Sequence, residues 1–559
     1  MKKGIVSLLF IFLITNSFAQ YATPLRIPMY LSANFTEFRA NHFHSGLDIK
    51  TAGRTDLPVY SVEEGFVSRI FVSPSGYGNA LYIDHPDGKT SVYGHLNRFA
   101  SAIQKYVQQK QYEQESYKID IQVPRGLFSV KKGELVAYSG NRGSSGGPHL
   151  HFELRDTRTE NLINPLQFFK KEIKDTKAPE MQAIMVYPII GSGIVDEASS
   201  PLRIGIAKGR NGIPLPFKRE VNVWGKIALG LKAVDRMDGV YNSYGVTYVK
   251  LEEDGKEIFS YTNNSYSFQV GRMYNSVIDY RTFRERNEFF LQSFVEPGNT
   301  FPFYKTVNDG YIQIDEERDY HFRYLLEDLY GNKSEYSFVL KGKKQAVPEP
   351  KMTPYRFAWN KDNRFSDDRF SIVIPKGNLY NSIYFSLNET ESPVYYSDVC
   401  KVNNFYVPLH TFCNIRIKVN NDTLAKKSQY GIVEVSRNGK SWVGGKYENG
   451  AVTVGIRELG DEYAVFCDRA NPVISPLAPA LWVKRGVIRI SVADNLSGVQ
   501  EVRGTIDGKF ALFENDVKSP VYFYRMDGER IGRKRQHELH FVAKDGCGNS
   551  AEYSYSFYY

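Results

Sequence analysis

The sequence predicts a chain of several mainly β domains, with one inserted helix near the N-terminus. Aromatic residues make up 14% of the 559 residues, as 39 Tyr and 36 Phe against 4 Trp, and such side chains favour the half-buried surface of a β-sheet. Short branched or aromatic runs alternate with turns that contain Gly, Asn and Asp. At about 100–200 residues per domain, the length corresponds to about three to five domains.

The composition is that of a folded, water-exposed protein. Hydrophobic residues are 42% and charged residues 24% of the chain, and the mean hydropathy is −0.40, which argues against a disordered chain and against a polytopic membrane protein. The formal net charge is +9, but the basic residues form no long runs. We therefore expect no nucleic-acid partner, although a weak attraction to an anionic polymer or membrane surface is compatible with this charge.

Residues 1–19 have the pattern of a secretory signal peptide. Lys2 and Lys3 precede an apolar stretch over residues 4–14, and Ser17 and Ala19 place small residues before a cleavage site. The apolar stretch is too short to span a bilayer, and no Cys follows the predicted cut. We expect an exported protein of the periplasm or cell envelope, with no transmembrane anchor.

Histidine is concentrated in the domain that follows a lead-in at residues 20–35. Six of the ten His lie between residues 42 and 151: His42, His44, His85, His95, His149 and His151. We predict that this domain spans residues 36–170, and that its short strands are interrupted by an insertion at residues 99–125. Apolar residues recur at helical spacing between Phe99 and Tyr117, which predicts one amphipathic helix there.

The remainder of the chain contains one module twice. Four motifs recur in the same order, namely Asp175-Thr176-Lys177-Ala178-Pro179 with Asp468-Arg469-Ala470-Asn471-Pro472, residues 233–239 with 492–498, 254–256 with 507–509, and 328–332 with 545–549. Their Asp-Gly and Gly-Asn turns favour β-sandwiches over residues 175–342 and 468–559, and the motifs weakly resemble those of bacterial immunoglobulin-like domains. Residues 343–354 form a Lys- and Pro-rich linker, and residues 355–467 a third β-rich module with no assigned chemistry.

The four cysteines carry no metal-binding pattern. Cys400, Cys413, Cys467 and Cys547 form no C-x-x-C pair, so we expect no thiolate zinc site. Three pairings into disulfides are possible in an oxidising compartment, and four free thiols are the alternative.

The chemistry is sought among three motifs of the His-rich domain. His149 and His151 flank Leu150 on a predicted strand, where residues two apart share a face. His44 and Asp48 are four apart, and Gly46 between them permits the backbone to bend so that both reach one ion. His95 follows a β-type run. Each motif alone has a structural interpretation, but two His and one carboxylate with an open fourth position are how a catalytic zinc site is built.

Two other patterns are rejected. Residues 143–147 fit G-x-S-x-G, but Pro148 and an alternating strand follow in place of the helix that a nucleophile elbow requires. His537 and His540 have one residue too few between them for the helical zincin motif, and on a strand they would point to opposite faces.

Together these residues resemble the lysostaphin-type (LytM-type) zinc metallopeptidases, which cut peptidoglycan cross-bridges. The matched motifs are His44-x-x-x-Asp48, Tyr93-x-His95-Leu96 and His149-Leu150-His151. The resemblance implies an antiparallel β-sheet groove with one Zn²⁺ ion, held by His44, Asp48 and His151, and an unligated catalytic pair, His95 and His149. We expect the insertion to flank this groove, and we interpret His42 and His85 as structural.

The resemblance implies a zinc metalloendopeptidase whose substrate is the peptide stems of peptidoglycan. A second hypothesis is an envelope scaffold or regulator that binds peptidoglycan, or activates a partner hydrolase, without cutting. A third hypothesis is an adhesin that functions through residues 171–559 alone. The C-terminal β modules could bind an envelope protein partner.

Overall fold

The structure, a computed structural model, describes residues 21–210, 214–350 and 352–559. It confirms a mainly β architecture, with one large hydrophobic core in each of four successive units. The predicted signal peptide at residues 1–19 lies outside the described residues. Among the residues described, no helix is long and apolar enough to cross a membrane.

The first unit is an antiparallel sheet that carries the His-rich motifs. Its elements are β1 (Leu31–Ala33), β2 (Phe38–Arg39), β3 (His42–Phe43), β4 (Leu47–Lys50), β5 (Pro58–Tyr60), β6 (Gly65–Val72), β7 (Asn79–Asp84), β8 (Lys89–Leu96), β9 (Arg98–Phe99), α1 (Ser101–Glu113), β10 (Ile119–Gln122), β11 (Ser129–Val130), β12 (Leu135–Tyr138), β13 (His149–Asp156) and β14 (Leu162–Ile163). The main sheet has the order β1-β4-β13-β8-β7-β6-β10, and β5, β12 and β9 form a second, smaller sheet.

Strand β13 lies in the middle of the main sheet, between β4 and β8. Leu150, Phe152 and Leu154 are fully buried on one face, as the alternation predicts. The other face is also buried, at His151 and Glu153. The strand is therefore covered on both sides, and polar side chains on its second face must find partners inside the protein.

The predicted helix is present as α1. Ile103, Val107 and Gln111 are its buried residues, at the four-residue spacing that places side chains on one face of a helix. The helix is shorter than the predicted segment, because Phe99 belongs to β9, which pairs with β12.

The second unit contains β15 (Glu180–Val195), β16 (Leu202–Gly205), β17 (Asn222–Val234), β18 (Tyr248–Glu253), β19 (Lys256–Thr262), β20 (Ser265–Tyr266), α2 (Tyr274–Val277), α3 (Tyr280–Arg286), β21 (Leu291–Gln292), β22 (Tyr304–Thr306), β23 (Ile312–Ile314), β24 (Asp319–Glu327) and β25 (Lys333–Gly342). Its main path is β16-β15-β17-β25-β24-β18-β19-β22. Strands β17 and β25 pair in parallel. The turn-rich pattern did not predict α2 and α3. Strand β20 pairs with β14 of the first unit, so the sheet of the first unit continues into the second.

The third unit contains β26 (Tyr355–Phe357), β27 (Asn363–Ser366), β28 (Phe370–Ile374), β29 (Ile383–Phe385), β30 (Leu387–Thr390), β31 (Val399–Val402), β32 (Val407–Lys418), β33 (Tyr430–Ser436), β34 (Gly439–Gly444), β35 (Lys446–Glu448), β36 (Ala451–Leu459) and β37 (Glu462–Cys467). Two five-stranded sheets, β27-β28-β32-β36-β35 and β30-β31-β37-β33-β34, contribute to its core.

The fourth unit contains β38 (Val473–Pro476), α4 (Trp482–Arg485), β39 (Val487–Ala493), β40 (Val499–Ile506), β41 (Lys509–Ala511), β42 (Val521–Arg525), β43 (Gln536–Asp545) and β44 (Ser550–Tyr558). A three-stranded sheet, β38-β39-β42, and a four-stranded sheet, β41-β40-β43-β44, form it. Short 3-10 helices elsewhere in the chain are Pro165–Phe168, Gly271–Met273, Asn308–Gly310, Lys427–Gln429 and Pro479–Leu481.

The fourth unit packs back against the first. The ring of Phe510 meets that of Tyr112 at 5.9 Å between centroids, and the guanidinium of Arg530 lies 3.7 Å from the same Tyr112 ring. The amide of Val517 donates to the carbonyl of Pro74 at 2.9 Å. Helix α1 and the loop after β6 are therefore covered by the last unit of the chain.

The cysteines are all free thiols. Cys400, Cys413 and Cys547 are buried, and Cys467 is partly buried. The sequence left disulfides and free thiols open as alternatives, and the structure has four free thiols.

Candidate metal centre

Three side chains of the first unit converge at one point. The Nε2 atom of His44 lies 3.0 Å from Oδ1 of Asp48 and 3.2 Å from Nδ1 of His151. The same Nδ1 atom of His151 lies 2.9 Å from Oδ1 of Asp48. Two imidazole nitrogens and one carboxylate oxygen thus form a triangle with sides of 2.9–3.2 Å.

Neighbouring strands and one glycine bring these residues together. Asp48 on β4 and His151 on β13 are directly paired in the sheet register. His44 lies just before β4 and reaches the same point because the chain passes close to β13 at Gly46. A Cβ atom at Gly46 would lie 2.2 Å from the carbonyl oxygen of Phe152, so only glycine permits this approach.

The outer nitrogen of each imidazole is already bonded. Nδ1 of His44 lies 2.7 Å from the carbonyl oxygen of Asn34, and Nε2 of His151 lies 2.8 Å from Oε1 of Glu153. Since a carbonyl and a carboxylate only accept, each outer nitrogen carries a proton, and each inner nitrogen faces the centre, where it can bind a cation once it is deprotonated. Outer hydrogen bonds of this kind orient His ligands in metal sites.

Glu153 is a functional residue that the sequence analysis missed. It is completely buried, and its carboxylate accepts hydrogen bonds from Arg155 at 2.7 Å and 2.9 Å, from Tyr77 at 2.6 Å and from Ser45 at 2.5 Å. Burial raises the pKa of Glu153, but the charge of Arg155 and the bond to His151 outweigh it and hold that pKa well below its usual value. Its position two residues after His151, on the same strand face, was the available signal.

The centre concentrates negative charge and lone pairs in a buried place. Burial raises the pKa of Asp48, but its three histidine neighbours hold that pKa well below the usual value. Burial lowers the pKa of His151, whereas its bonds to Asp48 and Glu153 raise the pKa to about 9. Two lone pairs facing one carboxylate oxygen at about 3 Å suit a cation between them, so the residues present fit a metal ion.

His95 and His149 lie next to the triangle. The ring centroid of His95 is 4.9 Å from that of His149 and 5.7 Å from that of His151. Nδ1 of His95 donates to the carbonyl of Arg142 at 2.8 Å, and Nδ1 of His149 donates to that of Gly147 at 2.8 Å. Each ring therefore keeps its Nε2 atom for another partner. The Nε2 atom of His149 is buried without a hydrogen-bond partner and lies 3.3 Å from Oδ1 of Asp48.

The backbone and the environment of His95 are both unusual. Its φ is +57°, a left-handed conformation that is uncommon for residues other than glycine and often marks a functional site. Burial, together with the neighbouring His151 and His149, lowers the pKa of His95 to about 3. The ring is therefore neutral at physiological pH, with Nδ1–H donating and Nε2 unprotonated.

The fourth unit holds the loop that positions His95. Nζ of Lys518 donates to the carbonyl of Asn141 at 2.6 Å, and the amide of Gly143 donates to Oδ2 of Asp516 at 3.2 Å. Between them, the guanidinium of Arg142 lies 3.3 Å from Glu514. The carbonyl that orients His95 thus belongs to a loop fixed from outside its own unit.

The structure brings all five predicted site residues together. The other histidines lie elsewhere: the buried His85 contacts the Glu64 carbonyl and the Ser91 hydroxyl at 2.8 Å each, and His42 contacts the Ala40 carbonyl at 2.8 Å. His537 is buried and His540 is exposed on β43, so they point to opposite faces. After the G-x-S-x-G segment the chain enters β13 rather than a helix.

Comparison with known proteins finds a family match over part of this site. Residues 42–112 match the model of "Peptidase family M23", a range that includes His44, Asp48 and His95. Residues 354–468, the third unit, match the model of a "Zu5-like domain".

Curated relatives match about a fifth of the chain. A protein of Neisseria meningitidis serogroup B named "DD-carboxypeptidase/endopeptidase Mpg" is 30% identical over 112 residues, which is 20% of this chain and 20% of that protein. An "Uncharacterized metalloprotease" of Haemophilus influenzae is 29% identical over 123 residues, 22% of this chain and 20% of that protein. The chain thus spans about a fifth of the length of these relatives.

Solved structures with detectable similarity include two peptidase catalytic domains. The M23 protein EnpA from Enterococcus faecalis is 25% identical, with 25% of this chain and 89% of that chain covered and a TM-score of 0.19. Lysostaphin from Staphylococcus simulans is 20% identical, with 25% of this chain and 92% of that chain covered and a TM-score of 0.20. By the family model, residues 42–112 of this chain are similar to peptidase family M23.

Proposed function

We propose that the chain is an exported zinc metalloendopeptidase that hydrolyses peptide cross-links of peptidoglycan. The observation that carries this proposal is the triangle of His44, Asp48 and His151, with His95 and His149 beside it. Ligands at 2.0–2.1 Å around a tetrahedral zinc ion are separated by roughly 3.3 Å, which is close to the 2.9–3.2 Å sides of the triangle. The match to an M23 family model supports the same reaction class.

The donor set favours zinc. Two imidazole nitrogens and one carboxylate oxygen are typical of catalytic zinc sites, which leave a position open for water and substrate. A bound zinc ion supplies an activated water molecule and a polarised carbonyl group. The outer bonds to the Asn34 carbonyl and to Glu153 hold both inner nitrogens in the required tautomer.

The two remaining histidines, His95 and His149, have different roles in proton transfer. The neutral Nε2 atom of one ring would accept the proton that water loses as its oxygen bonds to the peptide carbonyl carbon, and that proton would pass to the leaving amine as the C–N bond breaks. The other ring, when Nε2 carries a second proton from solvent, would donate to the oxyanion that develops on the carbonyl. The carbonyls of Arg142 and Gly147 hold the two rings in place through their Nδ1 atoms. The glutamate base of the H-E-x-x-H motif is not required in this arrangement.

Peptidoglycan is the proposed substrate because of the family resemblance and the names of the curated relatives, which include an endopeptidase and a metalloprotease. The three later units would then position the enzyme in the envelope or bind a protein partner. We propose export to the periplasm or cell envelope on the basis of the N-terminal sequence pattern.

Digestion of purified sacculi tests the proposal. The full-length chain with zinc should release shorter muropeptides with new peptide ends, identified by mass spectrometry, and a chelator should stop the release until zinc is restored. Binding to sacculi without any change in the muropeptides would instead support the scaffold hypothesis and refute the peptidase.

A further inference from the structure

Two further groups of acidic residues lie far from the His-rich centre. Asp175, Asp235 and Asp328 form one group, and Asp468, Asp494 and Asp545 form the other. In each group, one carboxylate oxygen per residue lies within 4.8 Å of those of the other two. We name these the first and second Asp triads.

The two triads occupy corresponding places in the repeated modules. Each contains the Asp that opens the module, the Asp that follows an Ala-Val or Val-Ala pair, and the Asp of the final Gly-Asn turn. Their construction also agrees: Nδ2 of Asn332 donates to the Asp175 carbonyl at 3.3 Å, and Nδ2 of Asn549 donates to the Asp468 carbonyl at 3.1 Å.

The first triad is deeply buried. Asp175, Asp235 and Asp328 are 7%, 2% and 6% exposed. The nearest basic side chains bond elsewhere: Nζ of Lys177 donates to the Met237 carbonyl at 3.0 Å, and Nε of Arg236 lies 3.3 Å from Glu180. Three carboxylates within 4.8 Å repel one another strongly when they are withdrawn from water, unless a cation lies between them.

One carboxylate oxygen in each triad lacks a partner. Oδ1 of Asp175 accepts from the Lys177 amide at 3.0 Å, but Oδ2 of Asp175 is buried with no hydrogen-bond partner. In the second triad, Oδ2 of Asp494 accepts from Leu496 and Gly498, and Oδ1 is buried with no partner. Because unpaired buried oxygens are rare in folded proteins, the Asp175 oxygen points to a missing ligand. Asp494 is only partly buried, and the second triad is included because its residues and contacts correspond to those of the first.

We propose that each Asp triad binds one calcium ion. The donors are all carboxylate oxygens, which select hard cations over zinc. Calcium accepts 6–8 oxygen ligands in irregular geometry, whereas magnesium requires a near-ideal octahedron and keeps several of its waters. A triad built of loops and strand ends suits the irregular geometry of calcium. This proposal does not depend on the peptidase activity.

Both triads lie where one unit joins the next. Asp175 precedes β15, and the loop after Asp328 contacts the connecting segment through Tyr330, whose hydroxyl donates to the Ile173 carbonyl at 2.9 Å. Asp468 follows β37, and Asn549, next to the second triad, accepts from Gln429 of the third unit at 2.8 Å. An ion at each position would tie a connecting segment to the module that follows it.

Calcium titration of the full-length protein tests the proposal. The protein is stripped with a chelator, zinc is restored, and Ca²⁺ uptake is followed by calorimetry. We expect two ions per chain for the wild type, one for Asp235→Asn, one for Asp494→Asn and none for the double variant. Asp315→Asn, an exposed carboxylate of the second unit, is the matched control and should keep two.

Thermal unfolding gives a second readout that does not depend on the Asp235 and Asp494 variants. Ca²⁺ should raise the midpoint of the wild type and of His44→Ala equally, and Mg²⁺ at the same concentration should raise it less. The proposal fails if the wild type takes up no calcium, if the double variant still binds two ions, or if magnesium stabilises the protein as well as calcium does.

Discussion

His44 and His151 show how a few atoms set the chemistry of the site. Each ring donates its outer N–H to a fixed acceptor, so the inner nitrogen is the one that faces the centre. The sequence predicted these two residues, with Asp48, His95 and His149, through the resemblance of their motifs to the lysostaphin-type family, and strand periodicity explained only why His149 and His151 share a face. It did not predict the Asn34 carbonyl, which depends on tertiary packing, and the spacing of Glu153 from His151 on one strand face was a signal that went unused.

Removing a residue of the triangle should affect metal and activity together. In His44→Ala or Asp48→Ala, one of three donors is lost, so bound zinc measured by elemental analysis and turnover should both disappear. His95→Ala should retain zinc but lose about 10²–10⁴-fold in turnover, because only proton transfer is removed. Full activity of metal-free protein would contradict the mechanism.

Glu153→Gln should weaken metal binding without removing a ligand. The amide keeps the shape of the side chain but loses the charge that orients His151, so zinc affinity should fall by about 10–100-fold. Competition with a chromogenic chelator measures the change. Glu64→Gln, which alters an exposed carboxylate of the same unit, should leave the affinity unchanged, and an equal loss there would show that the effect is not specific.

At the scale of secondary-structure elements, close packing between segments of the chain limits which side chains fit. The helix α1 could be predicted from its 3.6-residue periodicity. The helices α2 and α3 could not, since they are 4 and 7 residues long and depend on packing within the second unit. The approach of the His44 segment to β13 likewise depends on the absence of a side chain at Gly46, and the sequence indicated only that a bend was possible.

Gly46→Ala should destabilise the protein by about 1–3 kcal/mol or more, because its Cβ would overlap the Phe152 carbonyl and push β4 away from β13. Denaturant unfolding measures the loss, and zinc affinity should fall with it as Asp48 moves from His151. Gly146→Ala is the control, since a Cβ there meets no atom within 4 Å. Equal stability of the two variants would refute the packing argument.

At the scale of the whole molecule, the fourth unit contributes to the site without supplying a site residue. The repeated motifs predicted that this module exists, but its contact with residues 141–143 could not be predicted. The residues that meet are more than 370 positions apart in the chain, and no periodicity or turn signal encodes such a distance.

Lys518→Ala should lower kcat more than it raises KM. The ammonium group fixes the loop whose Arg142 carbonyl orients His95, so its loss should disorder a proton-transfer group while the metal stays bound. Lys509→Ala, an exposed change in the same unit, is the matched control. If both variants keep wild-type kcat on sacculi, the fourth unit does not support the site.

The folding back of the last module onto Asn141–Gly143 has a consequence for cleavage of the chain. A protease that cuts between residues 152 and 513 would leave all five converging residues on the N-terminal fragment, yet free the loop behind His95 once the fragments separate. Full turnover would therefore require an uncut chain. Cleavage between the units would be a simple way to reduce the activity of existing molecules.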